Sequence, residues 1–363
     1  MVFGQTPTLA TGAARRALLD TIYSRFRGLE KGSKAYVELA ESGRVWEEYH
    51  QPGDFAKMGY LKCQEDAVET LAQIDDVRKW MRRPASKRGA QMVPEYSHQS
   101  VMIENNTRPP GDSILMHEEL HGRFFKPVNL PTLSIHELAK ATPIPRLEWP
   151  KSITSKRDAF EVVELRNHLV ASQWIAETAL NHQGEDGLNE DEVCALSALT
   201  MRDLDESGRG LYPWTLGPRI RLGQYRQTPI GVKSNPMAVF PYHLEVPACM
   251  RRYFAWRKRM HKERVLHPLI LACHAMVYFL QIHPFVDGNG RVSRLMMQDY
   301  LMRQGYLPSY IMYLDRDEYL KMIHHAADGD PSLLIDRVLT SQMEFLYSYM
   351  LDDLSSDSPR PVG

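Results

Sequence analysis

His283, Asp287, Arg291 and Arg294 fall within one short stretch, 283–294, and their side chains suit one kind of chemistry. The imidazole of His283 can accept a proton near neutral pH. The carboxylate of Asp287 is a hard oxygen ligand of the kind Mg²⁺ takes alongside substrate phosphates. Arg291 and Arg294, related as i and i+3, share one face of a helical turn and can reach different oxygens of one polyphosphate. Asp287-Gly288-Asn289-Gly290 is a strong turn signal, because glycine reaches positive φ freely and asparagine does so more easily than most residues. Such a turn can point successive backbone N–H groups into one concavity, suited to phosphate oxygens. Apolar spacing resumes at Leu295, Met296, Tyr300 and Leu301, which predicts a helix from about Gly290 with its positive end toward that concavity. Phe285 is expected to point into the core and fix the loop. Taken alone, these residues spell Mg²⁺-nucleotide binding beside a base and leave open which phosphorus is attacked. The bland alternative is a glycine-rich turn ahead of a core helix with a chance basic pair.

The elements that must position this loop read as helices, so the expected fold class is all-α. An accessory helical region spans 1–90. Its helices are predicted at 13–28, 35–49 and 55–82, on the spacing of Leu18, Ile22 and Phe26, of Val37, Ala40 and Val45, and of Leu61, Val68, Leu71 and Ile74. The stretch 84–94 reads as a basic linker, and 123–155 as irregular and rich in proline. Further helices are expected at 157–182, from the cap-like Asn189-Glu190-Asp191-Glu192 to about Asp203, at 247–264, at 268–281 and at 331–349. The segment 268–281 is apolar almost all round and is therefore expected at the centre. Within 225–235, Ile230 and Val232 alternate as in a short strand and Ser234-Asn235-Pro236 turns it back, which predicts a β-hairpin. The tail, 351–363, reads as disordered.

Composition narrows the classes. The 363 residues are 43% hydrophobic, enough for an ample core, and the net charge is −1. That balance sets up no field toward nucleic acid or anionic lipid. The longest apolar run, 268–282, is broken by His274 and Gln281 and is too short for a membrane span, and the N-terminus lacks a signal-peptide core. None of the four cysteines forms a C-x-x-C pair.

The string His283-Pro-Phe-Val-Asp287-Gly-Asn-Gly-Arg291-Val-Ser-Arg294 is similar, at every specified position, to the signature of the Fic (Fido) family, H-P-F-x-[D/E]-G-N-G-R-x-x-R. Upstream, Ser100-Val-Met-Ile-Glu104-Asn105 resembles the inhibitory motif [S/T]-x-x-x-E-[G/N] of the subclass whose inhibitor lies N-terminal to the core. Ser100 and Glu104 stand one turn apart on one helix face, Asn105-Asn106 can end that helix, and a carboxylate there could pair bidentately with Arg294. The resemblance covers about 95–345. It implies a Fic domain over 91–350, with the inhibitory helix at 96–106, a β-hairpin flap at 225–235 and the motif at 283–294. It implies transfer of AMP from ATP to a Ser, Thr or Tyr hydroxyl of a protein, with release of pyrophosphate. His283 would take the hydroxyl proton, and Asp287 would hold Mg²⁺ or Mn²⁺. Gly288, Asn289 and Gly290 would form an anion hole, and Arg291 and Arg294 would hold the β- and γ-phosphates. Ile230, Gly231, Val232 and Lys233 would form the flap on which a target protein docks as an added strand. Tyr319 would stack on the adenine. Position 327, where the family often has Asn for that base, is Ala327. Glu104 would block the γ-phosphate site. Read with the family, the cysteines are reduced thiols and the location is cytoplasmic, with a nuclear location also open; a homodimer is possible.

Other readings remain open. The same site could remove AMP from a modified target, with Glu104 assisting water. It could use another donor, such as UTP or a choline nucleotide, or bind nucleotide without turnover. From a different class, His117-Glu118-Glu119-Leu120-His121 satisfies the H-E-x-x-H pattern of zinc proteases, with His136 or Glu137 as conceivable third ligands.

Overall fold

A computed structural model describes residues 9–54, 56–81, 83–147, 156–204, 209–213, 215, 217–232 and 234–355. In chain order the α-helices are α1 (Leu9–Ile22), α2 (Lys34–Glu41), α3 (Arg44–His50), α4 (Lys57–Asp66), α5 (Val68–Lys79), α6 (Ala85–Gln91), α7 (Val93–Ile103), α8 (Pro110–Leu120) and the single turn α9 (Lys126–Val128). They continue as α10 (Ile135–Lys140), α11 (Lys156–Thr178), α12 (Glu190–Thr200), α13 (Val246–Glu263), α14 (Pro268–Ile282), α15 (Asn289–Arg303), α16 (Arg316–Ala327) and α17 (Ser332–Ser355). Among the described residues the β pairing is two isolated bridges, Leu211 with Arg221 and Val232 with Asn235. The all-α expectation holds. The hairpin expected at 225–235 is reduced to the second bridge, because Asn235 and Pro236 turn the chain before a ladder can extend. None of the described helices is long and apolar enough to cross a membrane, and all four cysteines are free thiols.

The core is built around α14. Its run Leu269 to Phe279 is apolar on nearly every side, and Leu269, Ile270, Phe279 and Ile282 are fully buried. Each such side chain contributes about 1.5–3 kcal/mol by leaving water. Helix α14 packs on α13, α15, α16 and α17. Helix α11 is a second buried helix, packed on α6, α7, α12 and α15. It buries Leu165, Leu169 and Ile175, and also Glu161, Glu164, Arg166 and Asn167. Buried charges of that kind must find partners inside the protein, and two of them do so at the site described below.

Several boundaries differ from the pattern in the sequence. The helix expected at 35–49 is two helices, broken at Gly43 (φ 60). A Cβ at residue 43 would meet Ala248 Cβ at 2.9 Å and Glu245 O at 3.0 Å, so close packing against α13 sets the break. The helix expected at 55–82 is likewise broken at Ala67. The stretch 84–94 is not a linker: it forms α6 and the start of α7, with Ala85, Ser86, Arg88 and Gly89 buried. A Cβ at Gly89 would meet Met302 Sδ at 2.5 Å, so tertiary packing overrides a polar composition. The region 123–155 includes a π turn (His121–Phe125) and α10, whose Ser134 and Glu137 form a reciprocal capping box. Helix α17 runs through Ser355, past the boundary drawn at 350.

Among the ties between the accessory helices and the rest is one buried carboxylate. Glu245 is fully buried. It accepts hydrogen bonds from the Trp46 N–H (3.2 Å), the Tyr23 hydroxyl (3.0 Å) and the Tyr242 N–H (2.8 Å).

Helix α12 begins in a second capping box, with the Glu192 N–H donating to Asn189 Oδ1 at 3.0 Å and the Asn189 N–H donating to Glu192 Oε2 at 2.8 Å. Asn189→Ala is expected to lower stability by about 1 kcal/mol, read as a fall in the urea midpoint at unchanged slope.

Candidate active site

Helix α14 ends at Ile282, and His283 caps it in the left-handed region (φ 52). Helix α15 begins at Asn289 after Gly288 (φ 80). The turn between them is clamped from within. The Phe285 N–H donates to Asn289 Oδ1, and Asn289 Nδ2 donates to Phe285 O, both at 2.9 Å. Phe285 is fully buried beside Tyr225 and Phe279. The Gly288 N–H donates to Asp287 Oδ1 at 2.6 Å. Since the first turn of a helix has no internal acceptors for its own donors, the N–H groups of Asn289, Gly290 and Arg291 remain free: none of the described residues accepts from them. Both ends of the Asn289 side chain are spent on Phe285, so Asn289 can serve an anion only through its backbone N–H.

These groups face a cleft of about 450 Å³, lined by His283, Asp287, Gly288, Asn289 and Gly290 from the turn. Glu104, Tyr319, Ala327 and the flap residues Ile230, Gly231 and Val232 line it as well. The volume falls in the ~300–1,000 Å³ range of small-molecule sites. Lys233 lies outside the described residues. Trp46 and His50, from the accessory helix α3, form part of the wall.

His283 is the base candidate. Its Nδ1 lies 3.2 Å from Leu280 O. A carbonyl can only accept, so the neutral ring carries its proton on Nδ1 and its lone pair on Nε2. Burial pushes the imidazole down to about 4; the Leu280 carbonyl opposes this and the Arg226 cation reinforces it. The ring therefore stays neutral at physiological pH, with its Nε2 lone pair free. Phe240 packs against it, ring centres 4.7 Å apart.

Both arginines are bound to protein groups, and neither guanidinium lines the cleft. Arg294 Nε donates to Ser100 Oγ and its Nη2 to Ser100 O, both at 2.8 Å. The same Nη2 donates to Glu104 Oε1 at 2.7 Å. The pair is thus single-oxygen rather than bidentate, because Ser100 occupies the Nε edge. Glu104 Oε2 lies 3.7 Å from Arg316. Helix α7 ends just before Glu104, with Asn105 at φ 69, so the helix terminus holds the carboxylate over Gly290. A Cβ at residue 290 would run into Glu104 Oε1, so the carboxylate as placed needs glycine there. Burial pushes the Glu104 carboxyl up, but Arg294 and Arg291 outweigh it and hold it below the usual carboxylate range.

Arg291 is 3% exposed, with Nη1 2.9 Å from Glu164 Oε1 and Nη2 3.7 Å from Asp287 Oδ1. Glu164 also accepts from Asn106 Nδ2 at 2.8 Å, while the neighbouring Glu161 accepts from the Thr107 N–H at 3.0 Å. Sequence reading missed Glu164, Arg226 and Arg316. The signal for Glu164 is its place on a helix whose apolar residues point to burial on every side. Asn106 was read only as a helix stop.

Tyr319 is 6% exposed, with Arg294 5.1 Å from its ring centre. The Ala327 carbonyl accepts from Gln281 Nε2 at 3.1 Å. Asp287, half-exposed beside free N–H donors, fits Mg²⁺ or Mn²⁺, which such sites hold through one or two carboxylates plus substrate phosphates rather than a protein cage. The zinc-protease pattern fares differently. His117 Nε2 is bonded to Gln173 Oε1 at 2.8 Å. Among the described residues there is no group of three His, Cys, Asp or Glu placed to hold a metal, so neither His136 nor Glu137 completes that pair.

Comparison with known proteins fits this picture. Residues 187–301 match the model of the Fic/DOC family. Over 142 residues the chain is 33% identical to the protein adenylyltransferase Fic of Drosophila persimilis, covering 39% of this chain and 27% of that protein. The same protein of Drosophila virilis is 34% identical over 142 residues, covering 28% of its length. The match thus spans about a quarter of the length of these curated relatives. In fold, the chain is similar to a Fic-domain-containing signalling protein from Bacteroides thetaiotaomicron (TM-score 0.55, 19% identity, 77% of this chain and 96% of that one). It is also similar to Fic-1 from C. elegans (TM-score 0.54, 18% identity, 96% and 99%). An all-helical fold that sets this loop between two buried helices is the fold of a Fic protein. Residues 187–301 are thus similar to the Fic/DOC family, and the relatives that the chain matches in sequence carry the name protein adenylyltransferase.

In a titration of the folded protein by ¹⁵N-histidine NMR, His283 Nε2 is expected to stay unprotonated until the pH nears 4. Because the unfolded chain takes up that proton near pH 6.5, the stability this neutral ring contributes is lost as pH falls from about 6.5 toward 4.

Proposed function

We propose that this protein transfers AMP from ATP to a hydroxyl of a protein side chain (Ser, Thr or Tyr), and that Glu104 holds the activity in check. The observation that carries the reading is the pairing, in one cleft, of a neutral imidazole with its lone pair on Nε2 and a helix start with free N–H donors. The acceptor oxygen attacks the α-phosphorus of ATP and gives its proton to His283 Nε2, while the bond to the β-phosphate oxygen breaks and pyrophosphate leaves. The N–H groups of Asn289, Gly290 and Arg291 stabilise the negative charge that grows on the transferring phosphate. Asp287 would hold Mg²⁺ or Mn²⁺, which neutralises charge on the phosphates. Tyr319 supplies an aromatic wall for the base, and Ala327 offers it no side-chain hydrogen bond. Ile230, Gly231 and Val232, with a single bridge at Val232, leave backbone available for an extended target segment.

Inhibition follows from satisfied charge. While Glu104 bonds Arg294, that guanidinium does not serve a γ-phosphate, and the carboxylate repels one. A second reading, removal of AMP from a modified target, draws on the same carboxylate, which lines the cleft in ionised form and could take a proton from water.

Incubation with ATP labelled on its α-phosphorus tests the proposal. Glu104→Gly is expected to raise labelling of the protein itself or of lysate proteins at least about tenfold, the effect of relieving ~1.4 kcal/mol of competition. Adding His283→Ala should cut the rate by ~10²–10⁴-fold, the usual worth of a general base. No label on the Glu104→Gly protein or on any lysate protein would reject AMP transfer. Release of AMP from a pre-labelled target, lost in Glu104→Gly, would favour the second reading.

A further inference from the structure

Among the described residues, the buried cation Arg226 bonds only backbone carbonyls. It is 2% exposed, and among the described residues no carboxylate forms an ion pair with it. Its backbone N–H donates to Pro284 O at 2.9 Å. Its Nε donates to His283 O at 2.8 Å, its Nη1 to Thr228 O at 3.1 Å, and its Nη2 to Pro241 O at 2.6 Å with a longer contact to Ile282 O at 3.5 Å. Two of these carbonyls, Ile282 and His283, end α14, where the helix dipole is negative and favours a cation. A guanidinium is the one side chain that can serve carbonyls in several directions from a rigid planar fork.

His283 needs such a hold. It is a non-glycine residue at φ 52, a conformation that costs of order 1–3 kcal/mol and persists only when the surroundings enforce it. Its ring has one hydrogen bond, the Nδ1 contact to Leu280 O, so the aim of Nε2 follows from the backbone at residue 283. Charged groups near the ring are Arg226 itself, Glu104 from the end of α7 and Asp287 from the turn.

We propose that Arg226 is a positioning residue: its fork holds the His283 carbonyl and so aims the imidazole. The same fork binds Thr228, inside the flap segment 225–235, and Pro241, six residues beyond it. The segment that would present the acceptor hydroxyl and the base that would deprotonate it therefore share one anchor. The inference rests on His283 as the base of the proposed transfer.

The test uses the full chain. In a Glu104→Gly background, Arg226→Lys keeps the charge but loses the fork. It is expected to lower the single-turnover transfer rate about a hundredfold, the cost of a misplacement near 1 Å, while ATP affinity stays within about threefold. Arg226→Met should lose more; if it fails to fold by circular dichroism, the Lys variant decides. Independently of turnover, ¹⁵N-histidine NMR of Arg226→Lys with Glu104 intact should show the His283 resonances shifted and broadened, with those of His117 and His274 unmoved. Should Glu104→Gly alone transfer no AMP, the functional reading fails while the NMR arm still judges the positioning role. An unmoved His283 resonance overturns the proposal. So does an unchanged transfer rate, or a loss of transfer matched by an equal loss of ATP affinity.

Discussion

Two helix ends of opposite polarity meet across the turn 283–289, and the site depends on that meeting. Helix α14 arrives with its carbonyl end at Ile282 and His283, and α15 departs with its N–H end at Asn289. An imidazole stands at the negative end and free N–H donors at the positive end, so one short turn places two unlike groups side by side. A turn of this kind keeps its shape only if something inside it is rigid. The reciprocal bonds between Asn289 and the Phe285 backbone provide that, and the burial of Phe285 anchors the clamp to the core.

Around the turn, charge is balanced by helices that approach from elsewhere in the sequence. Helix α7 brings Ser100 and Glu104 to Arg294, and α11 brings Glu164 to Arg291. An unpartnered guanidinium at such depth would be costly, so each arginine arrives with its partner. The division of labour at Arg294 matters. Ser100 holds the Nε edge and shares Nη2, while Glu104 takes only one oxygen's worth of the fork. Removing the carboxylate leaves the arginine still held in place by Ser100. The arrangement can therefore exchange one anion for another without rebuilding the side chain.

Much of this was readable in the residues. Helical spacing located α11, α12, α13, α14 and α15 to within a few positions, because each buries a wide apolar face. The order of residues in 283–294 located the turn, since Gly288 and Asn289 at a helix start have few alternatives. What the residues did not reveal depends on contacts distant in sequence. Gly43 breaks a helix because α13 lies against it, and the polar stretch at 85–91 is buried because α15 covers it. Glu164 and Arg226 take on a role only once packing buries both beside the site. The flap's alternating pattern promised a ladder, and the turn at Asn235 leaves a single bridge.

The nearness of Glu104 to Gly290 carries a consequence for control. On the proposed function, this carboxylate competes with a phosphate as a tethered ligand, at an effective concentration of order millimolar or more. Raising the supply of free nucleotide is a weak lever against such a rival. On that proposal the effective lever is displacement of the end of α7, which is held by Ser100 on Arg294, by the Ile103 carbonyl on Arg316, and by Asn106 and Thr107 on the carboxylates of α11. If Glu104 is the inhibitor proposed above, whatever loosens those bonds sets the throughput of the site, irrespective of how much fuel is present.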